Sequence, residues 1–80
     1  DLESIRSGPA FAENVNNFKK LHRYLGLCTK SNKAYNLVFH SPADRNNWFE
    51  MIRIAFFLQI KLVVAYGAVE DVDRGLIVHV

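Results

Sequence analysis

Ala34-Tyr35-Asn36-Leu37-Val38-Phe39-His40-Ser41-Pro42-Ala43-Asp44-Arg45-Asn46-Asn47-Trp48-Phe49-Glu50-Met51-Ile52 carries two hydrophobic periods with a stop between them. In the first part Tyr35, Leu37 and Phe39 alternate with Asn36, Val38 and His40, the period of two that a half-buried strand shows. Ser41 and Pro42 end it. The Ser41 hydroxyl suits a helix N-cap, Pro42 suits the first helical position, and Asp44 places a carboxylate near the positive end of the helix dipole. Beyond them Trp48, Met51, Ile52, Ala55 and Phe56 recur at three- and four-residue steps, with Arg45, Asn46, Asn47, Glu50 and Arg53 on the other side. The spacing predicts a helix from Pro42 to Phe57.

Upstream, the polar stretch Lys30-Ser31-Asn32-Lys33 separates this strand from the apolar run Leu25 to Thr29, which predicts a hairpin. Further back, Ser7-Gly8-Pro9 breaks the chain. Phe11, Val15, Phe18, Leu21 and Leu25 then fall on one helical face, predicting a helix from Pro9 to Leu25 with Gly26 as a left-handed stop. A strand over Phe18 to Cys28 is the alternative, because Leu21, Tyr24 and Leu27 do not decide the period. Downstream, Gln59 to Tyr66 is apolar and β-branched and predicts a strand. Gly67 through Asp73 is a turn or loop, and Gly75 to Val80 is a last strand pairing with the previous one. The expected fold class is α+β: one small mixed domain or half-domain over residues 1–80, ordered helix–strand–strand–helix–strand–strand.

Eighty residues, half of them hydrophobic, suffice for one core. The single Cys28 forms no internal disulfide, which favours a reducing compartment. Asp1-Leu2-Glu3-Ser4 lacks the basic and apolar regions of a signal peptide. Arg53, Gln59 and Lys61 interrupt the longest apolar stretch, Met51 to Tyr66, short of the ~20 residues a membrane span needs. A cytoplasmic protein is the expectation, with recruitment to a membrane open. The abrupt start at Asp1 and the apolar finish Leu76-Ile77-Val78-His79-Val80 suggest a fragment or half-domain.

No set of residues is spaced for catalysis. His22, Cys28, His40 and His79 include none of the close pairs of a zinc site. Cys28 with His40 lacks an orienting third group. Gly8, Gly26, Gly67 and Gly75 are too dispersed for a phosphate loop. Glu70, Asp71 and Asp73 read as a solvated acidic turn rather than a tuned pair. A non-enzyme without cofactor or metal is therefore expected. Charge is segregated: Lys19, Lys20, Arg23, Lys30 and Lys33 fall between Asn14 and Ala43 with no acidic residue among them. They are the candidate anion- or lipid-binding residues, with a plain solvated face as the alternative. Trp48 is the candidate core anchor. Phe56 and Phe57 are adjacent on the predicted helix and cannot both face one core, so one of them is expected to face a partner.

The opening segment resembles the end of a pleckstrin-homology (PH) domain. Tyr35 to Phe39 matches the final strand, Ser41-Pro42-Ala43-Asp44-Arg45 the helix entry, and Trp48 the helix tryptophan that in this family packs across one open end of a β-barrel. The flavour is that of PH domains attached to Rho-type guanine nucleotide exchange factors. The resemblance covers about a quarter of the chain. Because a whole PH domain sets seven strands before that helix, it implies a partial or split PH-like barrel. It also implies a signalling adaptor that docks on a protein partner or on an anionic phosphoinositide membrane. The family's lipid-binding motif lies in a first hairpin that has no counterpart here, so the resemblance assigns no residue to lipid. Two other functions fit the residues. One is a half-domain or subunit that completes its fold with another chain or as an oligomer. The other is a small nucleic-acid-binding domain in which the same cations touch phosphates and Tyr24 or Tyr35 stacks on bases.

Overall fold

A tight hairpin sets the frame. Strands β2 (Tyr24–Thr29) and β3 (Ala34–Val38) pair antiparallel, with Leu25 opposite Leu37 and Leu27 opposite Tyr35. In the turn, the Asn32 N–H donates to the Thr29 carbonyl at 3.1 Å and the Thr29 N–H to the Lys33 carbonyl at 2.9 Å. Asn32 takes a left-handed φ of 65°, which asparagine tolerates better than most residues. The computed structural model describes residues 2–11 and 18–80. Around the hairpin it adds β1 (Leu2–Ser7), a 3-10 turn (Phe18–Arg23), the helix α1 (Pro42–Leu58), β4 (Val69–Val72) and β5 (Gly75–His79). Among the described residues the result is an α+β domain: one five-stranded mixed sheet in the order β1-β2-β3-β5-β4, with one α-helix. Every neighbouring pair is antiparallel except β3 and β5, which run parallel because α1 lies between them in the chain.

Both faces of the sheet are used. Leu25, Leu37 and Phe39 point to one face, where Ile52 of α1 completes the core and Ile5, Leu27, Trp48, Phe49 and Val78 pack around it. α1 lies against β1, β2 and the 3-10 turn. The other face carries Tyr24, Gly26, Asn36 and Ile77, and the chain from Gly8 to Phe11 crosses it. Asn36 is fully buried there. Its Oδ1 accepts from the Ala10 N–H at 2.7 Å and the Phe11 N–H at 3.4 Å, and its Nδ2 donates to the Phe11 carbonyl at 2.9 Å. Gly26 makes the crossing possible: a Cβ at this position would lie 2.5 Å from the Ala10 nitrogen.

The hairpin, the helix and the last strand lie where the spacing put them. Ser41 caps α1, its Oγ accepting from the Asp44 N–H at 3.1 Å, with Pro42 in the first turn. Three expectations are corrected. Among the described residues the helix expected from Pro9 to Leu25 is not formed: Gly8 makes an isolated bridge to Leu25, residues 18–23 are a 3-10 turn, and Tyr24 and Leu25 are strand. The apolar run fitted a helical period because β2 is buried on both faces, so its consecutive residues are apolar without alternation. Gly26 is accordingly a strand residue and not a helix stop. Asn14, Val15, Asn16 and Asn17 lie outside the described residues.

The strand from Gln59 to Tyr66 is also absent. Gln59 closes α1 in a left-handed conformation, φ 56°, and the Ile60 N–H donates back to the Ala55 carbonyl at 2.8 Å. Residues 60–66 then form no strand, Gly67 and Ala68 bond to His79, and the places beside β3 and β5 are held by β5 and β4. The strand lies instead in the expected loop, where Val69–Val72 pairs with β5. Finally, β1 was not anticipated, because Leu2-Glu3-Ser4-Ile5-Arg6-Ser7 is mostly polar; it is an edge strand with only Leu2 and Ile5 turned inward.

Candidate functional site

The second half of α1 is apolar nearly all the way round. Ile52 and Ala55 are buried against the sheet, while Met51, Ile54, Phe57 and Leu58 face outward. Phe57 is 83 % exposed. A helix without a polar face is ordinarily enclosed on every side, and here only one side is covered. Trp48 sits a turn earlier, half-buried, with its ring stacked on Phe39 at a centroid distance of 6.4 Å. Both Phe56 and Phe57 border the groove described next, and Phe57 is the more exposed of the two.

α1 roofs the β1–β2 side of its sheet face. Over β3, β5 and β4 the cover is the segment that follows the helix. Between them runs a groove of about 1130 Å³, floored by Tyr35, Leu37, Leu76 and Val78. Ile60, Leu62, Val64 and Tyr66 border it from above. Among the described residues, Glu3 and Lys30 are the charged side chains that reach its wall. Leu62 and Tyr66 remain partly exposed, and Val63, which faces away from the groove, is 80 % exposed.

The five candidate cations do not form one patch. Lys19, Lys20 and Arg23 belong to the 3-10 turn before β2, and Lys30 and Lys33 to the turn after it. β2 separates the groups by about 16 Å at the usual ~3.3 Å rise per residue. Lys20, Lys30 and Lys33 are exposed, and the Lys19 side chain lies outside the described residues. Arg23 is committed to the fold: its guanidinium donates to the His40 carbonyl at 3.4 Å, and its own carbonyl accepts from the Phe39 N–H at 2.9 Å. Arg45 does similar work, donating to the His22 carbonyl at 3.0 Å and tying the 3-10 turn to the start of α1.

Among the described residues no three His, Cys, Asp or Glu side chains gather in a metal-holding group. His79 and Glu70 pair across β5 and β4 at 2.8 Å, both well exposed. No helix among the described residues is long and apolar enough to cross a membrane. Of the exposed outer stripe of α1, Phe57 is among the residues expected to face outward, whereas Met51, Ile54 and Leu58 are not singled out for exposure. The signal of the stripe was present: from Met51 to Leu58 only Arg53 is polar.

No family model matches the chain, and no curated protein and no solved structure matches it.

Proposed function

We propose that this chain is a non-catalytic adaptor module that docks a protein partner on the apolar surface formed by the outer stripe of α1 and the 60–66 segment. The observation that carries this is the exposure of Met51, Ile54, Phe57, Leu58, Ile60 and Val63 on adjoining elements. Scattered apolar residues are normal on a surface, whereas a contiguous patch of this size marks an interaction face. Its composition, aromatic and aliphatic with few charges, is that of an interface core. A protein partner is favoured over an anionic membrane because the candidate cations are divided between opposite ends of β2 and do not flank the apolar patch as one field.

A PH-like ancestry for the β3–α1 unit is part of the proposal. The Ser41 cap and the stacking of Trp48 on Phe39 support it. The chain differs from the expectation drawn from that resemblance in carrying two strands after the helix, one of them parallel to β3.

A photo-reactive benzoylphenylalanine at position 57 tests the docking function in cells. A discrete protein adduct is expected. Adducts with lipid alone, or none above the level obtained at exposed Asn46 on the same helix, would overturn it.

A further inference from the structure

We propose that the groove between the sheet and residues 60–66 binds a single-chain amphiphile with a zwitterionic head group. The alkyl chain lies across the strands, and Glu3 and Lys30 hold the head group at one end. This site is the inner groove and not the outer stripe of α1, and it does not rest on the docking function.

Strand register gives the groove its shape. Its floor is two cross-strand rows. Leu27, Tyr35 and Leu76 stand opposite one another on β2, β3 and β5, and Leu37, Val78 and Val69 do so on β3, β5 and β4. At the usual ~4.8 Å between strands, the floor from β2 to β4 is about 14 Å across. Above it Leu62, Val64 and Tyr66 border the groove while Lys61, Val63 and Ala65 do not, the alternation of extended backbone. A space of about 1130 Å³ bounded by two layers is on the scale of small-molecule clefts, roughly 300–1,000 Å³. Its length and its largely aliphatic wall suit an alkyl chain.

The charges of the wall sit together at one end. Leu2 pairs with Thr29, and Glu3 and Lys30 are the next residues on the two chain segments. The register slips between Leu2 and Ser4, and a bulge of this kind re-aims the residue it holds. Glu3 accordingly lines the groove along with its neighbour Leu2. Among the described residues neither the Glu3 nor the Lys30 side chain has a hydrogen bond or an ion pair. Two opposite, unspent charges side by side complement a head group that carries both signs, an anionic phosphate for Lys30 and an ammonium for Glu3. A fatty acid would set its carboxylate beside Glu3, and a cationic amphiphile would set its ammonium beside Lys30. Each would gain one contact and meet one repulsion.

Calorimetric titration of the purified chain with dodecylphosphocholine, dodecanoate and dodecyltrimethylammonium, each below its micelle concentration, tests this. One dodecylphosphocholine per chain is expected, with each singly charged amphiphile about threefold weaker or more, the scale of one exposed charge contact. The decyl homologue should bind about 15-fold more weakly, at about fourfold per methylene withdrawn from water. Lys30→Gln should move the preference to the cationic amphiphile, and Glu3→Gln to the carboxylate; both positions are exposed, so the circular dichroism spectrum should not change. Val64→Trp, which fills the groove from its roof, should abolish binding of all three. Should that variant unfold, the two charge substitutions carry the test. No saturable binding, equal affinity for the three head groups, a ranking that ignores both charge substitutions, or binding that survives in a folded Val64→Trp chain would overturn the proposal.

Discussion

Asn36 gives the sharpest prediction about how this fold is held. Its amide is the only buried polar side chain among the described residues. It makes three hydrogen bonds to the crossing segment, two accepted and one donated. Asn36→Ala removes all three and strands the Phe11 N–H and carbonyl, each costing about 1–3 kcal/mol when left buried and unpaired. Ala10 is only partly buried, so water can replace its partner. The loss is therefore about 3–5 kcal/mol, against the roughly 4–12 kcal/mol expected for a domain of 80 residues. Urea unfolding followed by Trp48 fluorescence should show a midpoint lowered by about 2 M with an unchanged slope, taking a slope of about 1–2 kcal/mol per M. Asn36→Asp should do as badly, since it turns the donor facing the Phe11 carbonyl into a second oxygen and buries a charge. A loss below about 1 kcal/mol in both variants would refute the view that this amide clamps the crossing.

Three other substitutions have defined outcomes. Ser41→Ala should cost about 1 kcal/mol in the same assay by freeing the Asp44 N–H. Gln59→Gly should stabilise the chain by about 0.5–1 kcal/mol, because residue 59 sits at φ 56°, where glycine is unstrained; a loss of stability would count against the left-handed cap. Trp48→Ala should cost about 2–4 kcal/mol by removing the ring stacked on Phe39 and packed on the core, measured by thermal unfolding.

What could be read from the sequence tracks how local its cause is. The hairpin, the Ser41–Pro42 entry and the helix are set by neighbours in the chain: a turn, a cap and a repeating stripe. The errors arose where distant segments decide. Tyr24 and Leu25 look helical until a second layer, the crossing pinned by Asn36, makes both faces of β2 apolar. The 60–66 stretch has the composition of a strand, yet the places beside β3 and β5 are taken by residues 69–79. The adjacency of Phe56 and Phe57 on the helix does foretell that both rings are not buried, as their exposure shows. The cations did not announce their separation, because proximity in sequence conceals the length of the strand between them.

The central claim is that the outer face of α1 serves a partner and not the core. Its most direct measurement is the double substitution Ile54→Ser with Phe57→Ser, followed by urea unfolding of the purified chain and native-gel sizing of the protein in cell extract. Unfolding within about 0.5 kcal/mol per site of the unsubstituted chain, together with loss of the larger native species, is the predicted result. A chain that unfolds outright, or one that keeps an unchanged complex, would contradict it.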